Sequence, residues 1–410
     1  MGDGMNGKFN VLIVGGGIAG QALALFLEKA GISSAIYEAR GPSHGVGGGL
    51  ALSPNGMNVL AALGLAEALK ARASLAPVSF FRDERGKLLA RLRNGGAKFG
   101  EPQISAMRSD LYAVLAAAVA EKRVPLNYGK RLARIENDTD GVIAHFTDGM
   151  TARGDLLVGA DGVHSSTRHE IMLEAPEPEF VGITGIGGRL SLAEMPELTS
   201  EQSRSLTFTF GPEGFFGFCG SSAGEEMWWA NLPRHEPYSE KELESLSTEV
   251  LRRLLLERFG GYYQPIPALI KRTHDILALN IFDIQSLPKW YVGRVILIGD
   301  AAHAVSPNSG QGASLALEDA MYLAKLLRDC SSNYAAAFAL FERDRKPRVE
   351  RIVAAGRRAA SDKEIVSPLK SKLRNFLIAT TLRLIGIPGI TDAIGYRIDW
   401  DRDDFTREAA

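Results

Sequence analysis

Cysteine is nearly absent from this chain. Cys219 and Cys330 are the only two in 410 residues, and they lie far apart. That excludes a disulfide framework and a metal-ligand spacing, so no metal is expected and both read as ordinary buried thiols. Excess charge is missing as well. Forty-seven Lys and Arg stand against 48 Asp and Glu, a net charge of −1. This removes the electrostatic case for nucleic acid or an anionic membrane as partner. The opening MGDGMNGKFN has no apolar signal core, so the sequence reads as cytoplasmic. Long apolar runs are also scarce. NFLIATTLRLIGIPGI at 375–390 is interrupted by Arg383 and stopped near Pro388, too short to span a bilayer. It reads as a buried helix closing one side of a site, with interfacial contact as the alternative. The length allows a large core and more than one layer or domain. The oligomeric state is unknown from sequence.

Glycine, by contrast, is abundant, and it is concentrated in turns. Val11–Val14 is a short β-branched run that reads as a buried parallel strand. Gly15, Gly17 and Gly20 follow as G-x-G-x-x-G, and Ala19 to Leu27 continues as an apolar helix. In such a turn the first glycine permits the bend. The second lets backbone approach a pyrophosphate, and the third lets helix and strand pack closely. The helix start then offers free N–H groups to phosphate. A second strand, Ser34–Tyr37, ends at Glu38, about 20 residues beyond Gly17, where an acid can take ribose hydroxyls. This suits NAD or the adenosine half of FAD and does not choose between them.

Two further motifs follow in order, LLVGADGVHSSTR at 156–168 and VILIGDAAHAVSPNSGQGA at 295–313. In the last, a strand ends at Gly299-Asp300, a loop with Pro307 follows, and Gly310-Gln311-Gly312 opens a helix from Ala313. An aspartate at a strand end can accept hydrogen bonds from a polyol. A helix start can aim N–H groups at a developing negative charge. Taken alone, the segment also fits a βα crossover whose Asp300 caps the helix.

Together the three motifs resemble the single-component (class A) FAD-dependent aromatic hydroxylases, the p-hydroxybenzoate hydroxylase-like family, over residues 8–360. Arg108 in ISAMRSDLYAVL and the segment FERDRKPRVERIV at 341–353 extend the likeness. The resemblance implies an α/β fold: a Rossmann-like FAD layer of the glutathione reductase type, an inserted antiparallel β-sheet substrate domain and a C-terminal helical region. The FAD layer is expected at 8–75, 98–170 and 280–330. The substrate domain is expected at 76–97 and 171–279, and the helical region at 331–410. FAD contacts implied by the family are Gly15, Gly17, Ala19, Gly20, Glu38, Arg40, Arg108, Leu132, Asp161, Asp300, Pro307, Gly310, Gln311, Gly312 and Ala313. Pro307 is also expected on the flavin face where oxygen reacts. Two departures stand out: Arg40 is separated from Glu38 by Ala39, and Ser314 stands where many members have asparagine.

The inserted region has an aromatic rhythm. LTFTF, GFFGFCG and MWWANL read as antiparallel strands, a good roof for a flat apolar substrate. Strand alternation places only half of Phe208, Phe210, Phe216, Phe218, Trp228 and Trp229 toward a site, and the sequence does not fix which half. Phe210, Phe218 and Trp229 are taken as the substrate contacts. Residues 239–259 read as one amphipathic helix. Of the seven histidines, His235 is taken as the catalytic base for a phenol, with His44 a weaker candidate. Arg189 reads as a surface arginine or a carboxylate anchor.

The implied activity is a monooxygenase. It would use NADH or NADPH and O2 to put one oxygen atom into an aromatic or polycyclic small molecule through a C4a-hydroperoxyflavin. The alternatives are a flavin reductase without oxygen insertion, or a flavin-bearing sensor that does not turn over. A halogenase would need W-x-W-x-I-P, which WWANLP at 228–233 does not match.

Overall fold

The computed structural model describes residues 9–42, 48–222, 224–330, 333–361, 366–384 and 390–402. The loop 43–47 with His44, and Pro388, lie outside them. A six-stranded sheet forms the centre, in the order 291–292, 295–297, 156–159, 10–14, 33–38, 126–128. All neighbours run parallel except the short edge strand Tyr291–Val292. Its central strands, 10–14, 156–159 and 295–297, are buried on both faces, which is why they read as apolar runs. Val11, Ile13, Ile36, Val158 and Ile296 face one core, built with the helices Ile18–Lys29, Arg108–Glu121 and Gly312–Asp329. Leu12, Val14, Tyr37, Leu157 and Val295 face the other, against a three-stranded meander at 132–154.

A seven-stranded sheet makes the second layer, in the order 276–283, 179–191, 225–233, 214–222, 206–211, 78–83, 88–93. It is antiparallel apart from the 206–211 and 78–83 pair. One face packs on the helices Thr248–Phe259 and Ile266–Arg272 through Phe216, Phe218, Trp228, Leu255, Phe259 and Leu269. The other face overhangs a cleft against the central layer. A small sheet of strands 49–52, 104–107 and 74–75 completes the wall.

Several expectations need correction. The cut expected between 279 and 280 falls inside the strand Ile276–Asp283, which is hydrogen-bonded along Glu179–Ser191. The segment 239–259 is two helices, Glu240–Ser245 and Thr248–Phe259, because the Ser247 hydroxyl accepts from Val250 N at 3.3 Å and restarts the helix. The apolar C-terminal segment is not a buried helix. Pro368–Leu384 packs one side on the roof sheet through Ile378, Ala379 and Leu382, and leaves Leu369, Leu373, Phe376, Leu377 and Leu384 exposed. Among the described residues no helix is long and apolar enough to cross a membrane. Cys219 and Cys330 are both buried free thiols, and burial pushes both thiols up from their ordinary pKa.

Candidate active site

The cleft between the two layers has a volume of about 2820 Å³. Its floor at one end is made of backbone. Gly15 sits at φ +109°, and a Cβ there would lie 2.3 Å from Ala160 O. A Cβ on Gly20 would lie 1.9 Å from Gly15 O, so helix and turn touch as the motif requires. Gly17 is different: nothing lies within 4 Å of its missing Cβ. It is the N-cap of Ile18–Lys29, and no side chain caps that helix. Its first N–H groups are therefore free to bind an anion at the open turn. Glu38 stabilises the turn, accepting from Gly16 N at 2.7 Å and from Arg40 N at 2.8 Å. It remains on the cleft wall with Ala19, Arg40, Arg108 and Leu132. Lys130 and Arg131 join this end, cations the sequence reading missed. They follow the short strand Leu126–Tyr128, whose place at the sheet edge only the fold reveals.

The second motif closes on itself. The Asp161 carboxylate accepts from Ser165 Oγ at 2.5 Å, Thr167 N at 2.9 Å and Thr167 Oγ1 at 3.0 Å. Burial pushes the Asp161 carboxyl up against the pull of these donors. Arg168 was not anticipated. Fully buried, it donates to Val163 O at 2.8 Å and to Ala301 O at 3.1 Å. It thereby ties the loop of the second motif to that of the third.

The third motif supplies the cleft's middle. Asp300, Pro307, Gly310, Gln311, Gly312 and Ala313 all line it. Gln311 is the N-cap residue of Gly312–Asp329 and contributes no side-chain cap, so this helix start also presents free N–H groups. The Gln311 side chain is engaged sideways. Its Nε2 donates to Ser53 Oγ at 3.0 Å, and its Oε1 accepts from Asn55 Nδ2 at 3.0 Å. Ser53 thus holds the cleft wall rather than capping its own helix, Pro54–Ala62. Asn55 also donates to Glu318 Oε1 at 2.7 Å.

Beneath lies a buried ion network invisible to motif reading. Arg345 pairs with Glu318 at 2.5 Å and Asp319 at 2.8 Å, and Arg348 pairs with Glu318 at 2.8 Å. Asp319 accepts from Gly299 N at 2.9 Å and contacts His303 Nε2 at 2.5 Å. Burial alone would raise the Asp319 carboxyl. His303, Arg345 and the Gly299 N–H outweigh it and hold it at about 2. The arginines come from Tyr334–Ser361, the long helix anticipated only by resemblance. Left over near the cleft are buried polar atoms without a partner among the described residues: Asn55 Oδ1, His303 Nδ1 and Ser314 Oγ.

The far end of the cleft is a box of rings: Phe81, Phe208, Phe210, Phe215 and Trp229. Phe208 meets Phe81 at 5.3 Å and Trp229 at 6.1 Å, and Phe210 meets Phe215 at 5.3 Å. The indole of Trp229 lies over Gly217, where a Cβ would sit 2.5 Å from the ring. Two of the expected substrate residues, Phe210 and Trp229, are here. Phe218 is not. It pairs across the ladder with Thr207, one residue out of step with Phe208, so its ring points to the helix-covered face. His235 is also misplaced by the sequence reading. It follows the strand Glu225–Pro233 on an exposed loop and is not among the lining residues. Among the described residues the one histidine on the wall is His164, edge-on to Phe282 at 5.4 Å. Arg189 lies at the wall, mostly exposed, paired with Glu225 at 3.5 Å. On the sheet's other face Glu226 is fully buried with neither carboxylate oxygen partnered, and burial pushes it up to about 8.

The open Gly17 turn, two uncapped helix starts, and the acids Glu38 and Asp300 between them suit a long dinucleotide with a polyol centre. The residues therefore fit FAD. Comparison with known proteins agrees. A family model described as the FAD binding domain matches residues 8–355. An aurachin C monooxygenase/isomerase from Stigmatella aurantiaca is 32% identical over 356 residues, covering 85% of this chain and 88% of its own. A 6-hydroxynicotinate 3-monooxygenase from Pseudomonas fluorescens is 29% identical over 359 residues, covering 83% and 89%. The structure of Klebsiella pneumoniae HpxO complexed with FAD and uric acid matches with a TM-score of 0.82 at 26% identity, over 95% of this chain and 97% of that one. These relatives favour a monooxygenase over a reductase or a flavin-bearing sensor. The chain belongs to the FAD binding domain family and, within it, to the single-component FAD-dependent aromatic hydroxylases.

Proposed function

We propose that this monooxygenase acts on a neutral, flat, largely apolar aromatic or polycyclic molecule, with NADH or NADPH and O2 as co-substrates. The observation that carries the reading is the box of Phe81, Phe208, Phe210, Phe215 and Trp229 at the end of the cofactor cleft. Rings at these separations favour edge-to-face and offset contact with another ring. The box itself contributes no charged side chain, and Arg189 nearby is already paired with Glu225.

Bound FAD supplies the redox and oxygen-activating chemistry. The residues of the chain provide the rest. The Gly15–Gly17 turn and the start of Ile18–Lys29 receive the pyrophosphate, and the free lone pairs of Glu38 receive ribose hydroxyls. Asp300 accepts from the polyol. The start of Gly312–Asp329, with Gly310 to Ala313 on the cleft wall, would offer its free N–H groups to negative charge on the flavin. Pro307 shapes the face where oxygen reacts. The aromatic box orients the substrate and keeps water out. No proton transfer is assigned to His235, which is outside the cleft. We place the enzyme in the cytoplasm, where free thiols such as Cys219 and Cys330 stay reduced.

The test is NADH and NADPH oxidation by the holoenzyme across phenols, aminobenzoates, N-heterocyclic acids, quinolones and tetracyclines, with products followed by mass under labelled O2. A neutral polycyclic should stimulate oxidation most and gain one labelled oxygen. Stimulation confined to small carboxylates would refute the substrate class, and coenzyme oxidation without oxygen gain would refute oxygen insertion.

A further inference from the structure

The helix Pro368–Leu384 carries two apolar stripes. One is spent on the roof sheet: Ile378, Ala379 and Leu382 pack with Phe81, Leu89, Phe210 and Phe215. Asn375 on the same side donates to Phe210 O at 3.2 Å. The other stripe is uncovered. Leu369, Leu373, Phe376, Leu377 and Leu384 are between 55% and 79% exposed. Their spacing of four, three, one and seven residues puts them on one side of an α-helix. Scattered exposed leucines are ordinary, but an aligned stripe is not.

The charge on this helix is of one sign, although exposed Glu213 sits beside its start, next to Pro212, whose carbonyl accepts from Val366 N. The segment 366–391 contains Lys370, Lys372, Arg374 and Arg383 and no Asp or Glu. Lys370 and Lys372 are exposed. The edge strand Leu88–Arg93 packs beside the helix, and exposed Lys87 and Leu88 lie where the hairpin enters it; Arg91 turns to the sheet's other face, over the Phe80 ring. The nearby Asp83 is engaged by its own hairpin, accepting from Arg85 N and Lys87 N. The net charge of −1 for the whole chain therefore hides a cationic, apolar face.

Lysines are depleted from protein–protein interfaces, whereas a lysine-flanked apolar helix face fits the headgroup region of an anionic bilayer. We propose that Pro368–Leu384 docks this enzyme on an anionic lipid surface. The helix lies in the interface rather than spanning it. Leu373 and Leu377 belong both to the outer stripe and to the cleft wall. Docking therefore sets the cleft against the lipid. The inference does not depend on the substrate class proposed above, and its test reads binding without turnover.

The experiment is flotation of the holoenzyme with phosphatidylcholine vesicles containing about 30 mol% phosphatidylglycerol. The enzyme should float with them, release in high salt, and stay behind with pure phosphatidylcholine. Replacing two outward side chains that do not line the cleft, L369S/F376S, should lower the partition coefficient about tenfold or more. K372E should lower it about fivefold. Flavin content and turnover on a water-soluble substrate should be unchanged in both. Failure of the wild type to float, or equal flotation of L369S/F376S, overturns the proposal. So does a light-scattering mass of a dimer that L369S/F376S converts to a monomer without any vesicle binding, since a second copy would then cover the stripe.

Discussion

The two ends of the cleft are built by different means. The nucleotide end is made of main chain: the Gly15–Gly20 turn and two uncapped helix starts. The substrate end is made of side chains projected from one face of a sheet, Phe208, Phe210, Phe215 and Trp229. A backbone site is specified by residues a few positions apart, because turn conformation is local. A side-chain site is specified by which way each strand alternates, and register decides that across distant segments. The first kind tolerates little substitution, and the second changes ligand without changing fold.

The largest test of that contrast sits within the first motif. Gly20→Ala puts a Cβ 1.9 Å from Gly15 O, so the helix must separate from the turn. Loss of soluble, flavin-bound protein is expected. Gly17→Ala meets no atom of the protein within 4 Å and should fold normally. It should lose FAD affinity by about a hundredfold, since its methyl occupies the place of approach to the pyrophosphate. Thermal melts and flavin absorbance of the two variants separate these outcomes. Equal behaviour would break the account of the turn.

Next is Arg345→Met. It leaves Glu318 and Asp319 buried beneath the helix start with one cation fewer. Removing one partner of a buried pair costs about 3–5 kcal/mol. A chemical denaturation midpoint shows the loss, with flavin release accompanying it. A wild-type midpoint would mean that Arg348 and His303 suffice.

A smaller effect belongs to the roof sheet. Glu226 is raised by burial from 4.5 to about 8. A raised carboxyl makes no difference below about pH 4.5, where both states are protonated. Its penalty grows as pH rises toward 8, because the unfolded chain ionises first. Glu226→Gln should therefore match the wild type well below about pH 4.5 and be more stable at pH 9, by up to a few kcal/mol on the order of the shift. Melts at the two pH values decide it; parallel curves would mean the carboxyl is relieved by water.

The smallest effects sharpen the comparison directly. Trp229→Ala should raise KM for the aromatic substrate about tenfold with flavin content unchanged. His235→Ala should leave KM, kcat and their pH dependence as in the wild type. A lost alkaline or acid limb in His235→Ala would restore it as a base.

Legibility in the sequence followed the same divide. The strand order could not be read, but the turn at Gly15 and the acid Glu38 are marked by motif, whereas Asp300 and the turn at Gly310 gain a role only through the family likeness. Leu132, Pro307 and Gln311 came with the family likeness, and all line the cleft. Phe218 failed by a single step of alternation, set by its pairing with Thr207. His235 failed because proximity in sequence to an aromatic strand says nothing about where the strand ends. Arg168, Arg345 and Arg348 were unreadable for another reason. Each partners groups that lie elsewhere in the chain or on the main chain, with no local pattern to mark them. The outer stripe of Pro368–Leu384 was visible as apolarity; only its packing showed which side stays open.

The strand Ile276–Asp283 has a consequence for recombination between relatives. It leaves the roof and approaches the central layer as one hydrogen-bonded element, and Arg357 from the long helix grips its last residue, Asp283, together with Glu179. A chimera joined at 279/280, where composition changes, would graft foreign sequence into the middle of a ladder. Junctions placed after Asp283, and before Glu179 on its partner strand, would carry five of the seven roof strands intact, while the strands 78–83 and 88–93, with Phe81, would have to be exchanged separately. Exchange of substrate range between members of this family is then a matter of where the cut falls, not of how similar the inserted sheets are.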